Sequence, residues 1–412
     1  MKNILKIMPI FSINMFFSIC SIIGYSYGGS DSSSIYKIYM FLIFIFSLIF
    51  FLYQLVVKKI IKTKGQVLVL IIPFIVTLIF LVNEILAINN YNTTKYFMYF
   101  IIFSVPAIFM GIYVAQSNKI SSVSKNMELV MLIFTVAVMI TTIKSLSSGE
   151  RFNSIGGETY QFASYLAAFS FGINIYYLVY GTNHERFRFT STKIYKLCCY
   201  VLLMFQLCGV FIAGGRGGFV LIIAYLIYIA LSLLDKKHSK RIIKYIFIVG
   251  IFLLVISILF PYLLNIESFN NSFNRVFSYI STDGVDWSGT NRDLVYAEAI
   301  YYIKQKPLLG YGLFNWASDN YPHNFILEIL LNGGILYLFF WIFVLINLVT
   351  KLSKIIKYDS ETRIIKIIFL YPLLMLMFSG TYTINTIFWF CISFIFAYEI
   401  PQNIKSKITK NM

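Results

Sequence analysis

Charged and metal-binding side chains are scarce in this sequence of 412 residues. Asp, Glu, Lys and Arg together make up 12% of it, whereas a soluble domain carries about 25%. Histidine occurs three times and cysteine five times, with no CxxC pair and no histidine close to a cysteine in the sequence. These shortages exclude a soluble globular domain and argue against structural disulfides and a zinc site.

Acidic residues are scarcer than basic ones, because 17 Asp and Glu stand against 34 Lys and Arg and give a net charge of +17. Such an excess can indicate a nucleic-acid binder. Here the basic residues are spread over the connections between apolar runs, which is typical of membrane proteins. We therefore expect the lipid bilayer, and no nucleic acid, as a partner.

Long apolar runs are abundant. Hydrophobic residues make up 59% of the sequence, and the mean hydropathy is +0.78. Runs of about 20 such residues, enough to cross a bilayer, recur from end to end. The sequence therefore predicts an all-α polytopic membrane protein with about 12 transmembrane helices, near residues 4-24, 35-57, 67-87, 95-115, 128-147, 160-180, 194-213, 217-234, 242-264, 322-349, 364-379 and 382-400.

The positions of lysine and arginine predict the orientation of these helices. With the N-terminus inside, 25 of the 34 basic residues fall in cytoplasmic connections, so both termini are predicted to be cytoplasmic. Lys2 and Lys6 would then precede a retained first helix rather than a cleaved signal peptide. Nine cations remain on the outer side, and four of them are expected to be ordinary surface residues, namely Lys37, Lys95, Lys304 and Lys306.

One connection is much longer than most of the others. Residues 265-321 form a predicted outer loop of 57 residues, whose apolar content indicates packing rather than disorder. The loop divides the chain into three parts. Residues 1-264 would hold nine transmembrane helices, and residues 322-412 would hold three more and a cytoplasmic tail.

A glycine-rich turn between the seventh and eighth predicted helices is the first candidate site. Arg216 is flanked there by Gly214, Gly215, Gly217 and Gly218. Bare backbone N–H groups, a guanidinium and the start of a helix all favour binding of a phosphate. The alternative is a tight helical hairpin with an arginine that reaches to the membrane surface.

The second candidate lies in the outer loop, where Thr290 and Asp293 resemble a capping box. A helix would begin near Asn291, carry Arg292 in its first turn and stop before Pro307. The start of a helix favours anions, so Arg292 would be held in an anion-binding position. A surface ion pair of Arg292 with Asp293 is the alternative.

The third candidate is His323, at the point where the outer loop re-enters the membrane. His184 and His238 lie in predicted cytoplasmic connections instead. An imidazole with a pKa of about 6.5 accepts or donates protons at physiological pH, so His323 is a candidate acid or base, with a structural role as the alternative. Arg151 is a further candidate cation at the outer end of the fifth helix. The outer segments hold no metal motif and no acidic pair with catalytic spacing, so no metal and no cofactor are expected.

These segments resemble the O-antigen polymerase and ligase family of bacterial envelope glycosyltransferases. The resemblance rests on three features of residues 205 to 340 that occur in the order and on the membrane side of the family. They are Gly215-Arg216-Gly217, Arg292 followed by a helix and Pro307-Leu308-Leu309-Gly310-Tyr311-Gly312, and His323-Asn324 followed by Gly333-Gly334. The sequence departs from the family pattern in lacking a Trp in the helix after Arg292 and an Asn-Pro-Asn after Arg151.

The resemblance implies a GT-C-like arrangement of helices and a metal-independent, inverting transfer of a glycan from undecaprenyl pyrophosphate to an acceptor sugar. The reaction would take place at the periplasmic face of the bacterial inner membrane. Arg216 and Arg292, with Gly215, Gly217 and Arg151, would bind the pyrophosphate. His323 would orient or deprotonate the acceptor hydroxyl. A chain-length regulator and a flippase are the implied protein partners.

Three functions are compatible with this resemblance and topology. A polymerase would transfer the glycan to another lipid-linked repeat unit, and a ligase would transfer it to lipid A-core. The sequence is rich in Ile, Phe, Tyr and Asn, as polymerases of this family tend to be, so a polymerase is preferred. A flippase or other transporter for lipid-linked oligosaccharides is the third function, and it is disfavoured because most charges lie at the ends of predicted helices.

Overall fold

A computed structural model describes residues 8–27, 34–58, 64–85, 88, 90–116, 120–148, 154–181, 190, 192–233, 239–265, 267, 270, 274, 292–318, 321–358 and 360–399. Within these ranges the regular structure is helical, as the sequence predicts. The α-helices are α1 (Ser12–Ile22), α2 (Ser34–Lys58), α3 (Lys64–Ile85), α4 (Asn90–Tyr99), α5 (Val105–Gln116), α6 (Ile120–Ser148), α7 (Tyr160–Tyr180), α8 (Lys193–Ala213), α9 (Arg216–Leu233), α10 (Ser239–Leu264), α11 (Arg292–Gln305), α12 (Phe325–Tyr358), α13 (Arg363–Phe378) and α14 (Thr386–Ala397). A π-helix, Phe100–Ser104, joins α4 to α5.

Several helices have the length and composition of membrane spans. Within the described ranges, 6 are long and apolar enough to cross a bilayer. They are Tyr91–Gln116, Val123–Ser148, Tyr160–Tyr180, Lys193–Ala213, Arg216–Leu233 and Phe325–Lys357. This all-helical architecture is that of a polytopic membrane protein, whereas the total of twelve spans and the GT-C-like arrangement stay predictions.

The chain forms two compact units. The central unit comprises Ile13–Ser33 and Ser121–Asp286, and the C-terminal unit comprises Met1–Ser12, Ser34–Ile120 and Trp287–Met412. Arg216 lies in the central unit, whereas Arg292 and His323 lie in the C-terminal unit.

The central unit is built around α7, which is buried along most of its length and packs against α8 and α9. The side chain of Asn174 donates a 2.9 Å hydrogen bond to the Cys199 carbonyl and a 3.1 Å bond to Gln206. Gln206 in turn donates a 2.7 Å bond to the Thr135 hydroxyl. These bonds connect α6, α7 and α8 through buried polar groups, as polar side chains do between membrane helices.

The C-terminal unit has α14 at its centre, with all of its residues buried against helices that include α3, α5, α12 and α13. Asn385 caps the start of α14 through a 3.0 Å bond from the Phe388 N–H to its side-chain oxygen. The indole of Trp389 donates a 2.7 Å bond to the carbonyl of Tyr382. These two bonds fix the connection between α13 and α14, Ser379–Asn385, which is called the α13–α14 turn below.

Candidate functional site

Arg216 stands at the start of α9, directly after a tight turn that ends α8. Gly214 adopts the left-handed conformation there, with φ 70°, and its N–H bonds the carbonyl of Phe211 at 2.9 Å. The Arg216 side chain is half-buried at the helix start, where backbone N–H groups lack partners within the helix. The predicted turn and helix start are therefore both present, and they agree with the anion site and with the hairpin alternative alike.

The glycines beside Arg216 also have a packing role. A Cβ atom at Gly217 would lie 1.9 Å from the hydroxyl oxygen of Tyr165 on α7, and one at Gly218 would lie 2.2 Å from the hydroxyl of Ser164. Ser164 donates a 2.7 Å bond to the Gly215 carbonyl. Close approach of α9 to α7 thus requires these glycines, which agrees with the tight-hairpin alternative that the sequence offered beside the anion site.

Arg151 lies outside the described residues, and so does Thr290 of the proposed capping box. The glycines that follow Arg151 are described, however, and contact the segment after α1. The N–H of Tyr27 donates a 2.8 Å hydrogen bond to the carbonyl of Gly156, and a Cβ atom at Gly157 would lie 1.8 Å from the carbonyl oxygen of Tyr27. This packing accounts for Gly156 and Gly157.

Arg292 is the first residue of α11, a helix that ends at Gln305 before Pro307 as the sequence predicts. Its side chain is half-buried, and Nη2 donates a 2.8 Å hydrogen bond to the carbonyl of Phe378 at the end of α13. A guanidinium has five N–H donors in a fixed plane. The bond to Phe378 therefore orients the group and leaves donors for a ligand. Asp293, the proposed ion-pair partner, is exposed.

The segment Pro307–Gly312 docks on a break in α12. Gly334 has φ 64° and ψ −161°, which interrupts the helix and frees backbone groups. The Ile335 N–H donates a 2.8 Å bond to the Pro307 carbonyl, and the Tyr311 N–H donates one of 2.8 Å to the Leu331 carbonyl. Broken helices in membranes need such partners. Two of the motifs that supported the family resemblance, Pro307–Gly312 and Gly333-Gly334, thus form one joint between the loop and α12.

His323 lies just before α12, which begins at Phe325 and not at the predicted residue 322. Asn324 caps the helix by accepting a 3.0 Å bond from the Ile326 N–H and a 3.2 Å bond from the Leu327 N–H. His323 itself has φ 49°, a strained value for a residue with a side chain. The residue is partly accessible to solvent, and its imidazole meets the Tyr321 ring edge to face, with 4.7 Å between the ring centroids.

Arg292 and His323 are close enough to interact electrostatically. Desolvation by the surrounding protein and then the positive charge of Arg292 lower the pKa of the His323 imidazole. The ring is therefore mostly neutral at pH 7 and able to accept a proton. Burial and then the charge of Glu328 raise the pKa of Tyr321 well above its usual value, so its phenol stays protonated and acts as a donor.

The α13–α14 turn contacts the residues on which this site is built. Gly380 contacts Tyr321 in the segment before α12, and Thr381 contacts Glu328 in the first turn of that helix. The Tyr321 hydroxyl lies within hydrogen-bond reach of the Gly380 carbonyl and donates a 2.8 Å bond to the fully buried Glu328. The Thr381 hydroxyl donates to the other oxygen of Glu328. Arg292, His323, Tyr321 and Glu328 are thus assembled around one turn and one helix start.

Sequence reasoning missed the turn and Tyr321. The predicted helices 364-379 and 382-400 left only two residues between them, whereas α13 ends at Phe378 and α14 begins at Thr386. The signal was the polar run Ser379-Gly380-Thr381-Tyr382-Thr383 between two apolar segments. In the described part of the chain, no group of three or more His, Cys, Asp or Glu side chains could hold a metal ion. Metal independence stays a prediction.

An all-helical membrane protein with an arginine and a histidine at a loop between helices is compatible with an enzyme that acts on an anionic, membrane-bound substrate. A family model described as O-antigen ligase matches residues 199–342, about a third of the chain. This match confirms the resemblance: the segment carries the domain of an O-antigen ligase or polymerase-like family. Neither the curated proteins nor the solved structures contain a match.

Proposed function

We propose that this protein polymerises a surface polysaccharide at the periplasmic face of the bacterial inner membrane. The acceptor hydroxyl of one undecaprenyl-pyrophosphate-linked repeat unit attacks the anomeric carbon of the glycan carried by another. The new C–O bond forms as the bond from that carbon to the pyrophosphate oxygen breaks, and its electron pair leaves with the pyrophosphate. The hydroxyl proton passes to His323. A single displacement of this kind inverts the anomeric configuration.

In this proposal, Arg292 stabilises the negative charge that develops on the departing pyrophosphate. Its orientation is set before the reaction by the 2.8 Å bond to the Phe378 carbonyl, and fixed donors stabilise a transition state better than mobile ones. Arg216, with the N–H groups of Gly215 and Gly217, is proposed as a further pyrophosphate-binding group, on the basis of its sequence pattern and its place at the start of α9. Arg151 is proposed from the sequence alone.

The observation that carries the proposal is the joint placement of Arg292 and His323. Desolvation, and then the same positive charge that attracts a pyrophosphate, lower the pKa of His323, so a neutral base is available at pH 7. After it has accepted the proton, the imidazolium loses it again readily beside Arg292. One arrangement therefore supplies both an anion partner and a base.

A polymerase is preferred to a ligase because the chain is rich in aromatic and branched apolar residues, with 41 Phe and 31 Tyr, like the polymerases it resembles. The ligase stays the second candidate, since the matching family model is described as O-antigen ligase. The two differ in the acceptor, which is a lipid-linked repeat unit or lipid A-core. A flippase and a chain-length regulator are proposed partners of the polymerase.

The structure also has two features that occur in transporters, a broken helix and a buried carboxylate on a membrane helix. The break at Gly334 is, however, occupied by the loop, because Pro307 and Tyr311 bond its free backbone groups. Glu328 accepts hydrogen bonds from Tyr321 and Thr381. Both features therefore serve to build the site, which favours an enzyme.

The test uses purified protein in detergent with a synthetic undecaprenyl-pyrophosphate repeat unit, with and without EDTA, and resolves the products by size. A ladder of longer lipid-linked glycans that survives EDTA supports a metal-independent polymerase. Transfer that occurs only when lipid A-core is added moves the assignment to the ligase. If neither acceptor is used while a control enzyme is active, the transferase proposal fails and the transporter is the remaining function.

A further inference from the structure

The buried carboxylate of Glu328 stands out among the polar groups of α12. It lies in the first turn of a membrane helix, and its side chain is 0% exposed. An ionisable residue within a membrane helix is costly and is usually retained for function. Nothing in the transfer reaction above uses Glu328 directly, because its carboxylate is enclosed by protein.

The partners of Glu328 explain its position. One oxygen accepts the 2.8 Å bond from the Tyr321 hydroxyl, and the other accepts a bond from the Thr381 hydroxyl. The backbone N–H of Tyr382 also donates to the carboxylate. Glu328 thus joins the segment that precedes α12 to the α13–α14 turn.

Arg292 and His323 contact opposite sides of this junction. The His323 ring packs edge to face on the ring of Tyr321, with centroids 4.7 Å apart, and has a strained backbone conformation that its surroundings must hold. Arg292 bonds the carbonyl of Phe378, which directly precedes the turn. A movement of the junction would therefore displace both Arg292 and His323.

We propose that Glu328 is the positioning residue of this site: it holds Tyr321 and the α13–α14 turn, and through them sets the relative placement of His323 and Arg292. The inference rests on the proposed transferase function, for which these two side chains act together. Glu328 itself does not touch the substrate. A displacement of about 1 Å in catalytic groups can lower turnover about 100-fold.

Replacement of Glu328 by glutamine tests whether its hydrogen bonds or its charge matter, because the amide keeps hydrogen bonds to the same partners but carries no charge. In Glu328→Gln the side-chain oxygen can still accept from Thr381 and Tyr382. The new NH₂ group can donate to the Tyr321 hydroxyl, which then donates to the Gly380 carbonyl within its reach. Glu328→Leu has a similar volume but no acceptor, so it leaves buried donors without partners.

The experiment measures kcat and KM for the lipid-linked donor with monodisperse, folded protein. We expect Glu328→Leu to lower kcat about 100-fold with little change in KM, and Glu328→Gln to stay within about tenfold of the wild type. Glu128→Gln is the matched control, since Glu128 is an equally buried carboxylate on α6 of the central unit. We expect it to leave kcat unchanged. Wild-type kcat in Glu328→Leu, or an equal loss in Glu328→Gln, would overturn the proposal.

Two further variants test the same proposal if Glu328→Leu does not fold. Tyr321→Phe keeps the ring beside His323 but removes the bond to Glu328, and Thr381→Val removes the other hydroxyl. We expect each to lower kcat about tenfold to 100-fold, and wild-type kcat in both would contradict the positioning role.

An NMR measurement tests the inference independently of turnover. In protein labelled with ¹⁵N-histidine, Tyr321→Phe and Glu328→Leu should shift the ring signals of His323, whereas Glu128→Gln should not. Unchanged His323 signals in both site variants would refute the coupling. If the wild type is inactive in every transfer assay but these signals shift, the function proposal fails while the structural coupling stands.

Discussion

At the scale of single residues, Arg292 has the most clearly fixed geometry of the proposed charged groups. Removal of one preorganised donor from a charge-stabilising site costs about 100-fold or more in turnover, and we expect Arg292→Ala to show at least this loss. Arg292→Lys should rescue it poorly, because an ammonium cannot replace the planar fork of donors. The measurement is the initial rate of glycan lengthening. Lys304→Ala, an exposed cation on the same helix, should retain the wild-type rate.

Arg216 requires a separate test because its glycine neighbours are explained by packing. If it binds pyrophosphate, Arg216→Ala should lower the rate of lengthening about 100-fold while the protein still inserts into the membrane and remains monodisperse. Arg216→Lys should recover little of the activity. A normal rate in Arg216→Ala would support the hairpin alternative, in which the arginine only reaches to the membrane surface.

The lowered pKa of His323 predicts the pH dependence of the reaction. The base must be neutral to accept a proton, and its pKa lies below the usual value of about 6.5. The rate should therefore stay level as pH falls from 8 to about 6.5 and decline only at lower pH. Titration of ¹⁵N-histidine signals gives the pKa directly, and His323→Asn identifies the signal. A His323 pKa above 7 would contradict the expected neutral base.

At the scale of elements, the joint between Pro307–Gly312 and α12 depends on Gly334. Its backbone angles fall in a region that is essentially limited to glycine, and a Cβ atom would lie 2.4 Å from the Leu308 carbonyl oxygen. Gly334→Ala should lower the free energy of unfolding by about 1–3 kcal/mol and reduce turnover. Gly250→Ala on α10 is the control, because a Cβ there has nothing within 4 Å. Thermal unfolding in detergent should separate the two variants.

Elements with local signals could be predicted from the sequence, whereas contacts between distant segments could not. The helix after Asn291 was predicted because its start and Pro307 are local marks, and it is observed as Arg292–Gln305. The α13–α14 turn was missed because its partners are remote: Thr381 bonds a residue 53 positions away, and Phe378 bonds one 86 positions away. The break at Gly334 lay inside an apolar run and gave no hydropathy signal.

At the scale of the whole molecule, the family match covers all of the candidate site residues except Arg151. Residues 199–342 include Arg216, Arg292 and His323, together with both glycine motifs that form the loop joint. Outside the match, residues from other parts of the chain complete the C-terminal unit. Phe378 accepts a bond from Arg292, and Thr381 donates one to Glu328, so both orient side chains that lie within the matched range. A change outside residues 199–342 is therefore able to impair the site.

The predicted orientation is the remaining requirement for the proposed function, because the lipid-linked acceptor is expected at the periplasmic face. The positive-inside rule places α11 outside and the end of α12 inside. Both segments carry an exposed lysine, Lys304 on α11 and Lys354 on α12. In a variant whose five native cysteines are replaced, Lys304→Cys should react with a membrane-impermeant maleimide on intact spheroplasts. Lys354→Cys should react only after the membrane is permeabilised. The reverse pattern would place Arg292 and His323 on the cytoplasmic side and exclude periplasmic polymerisation.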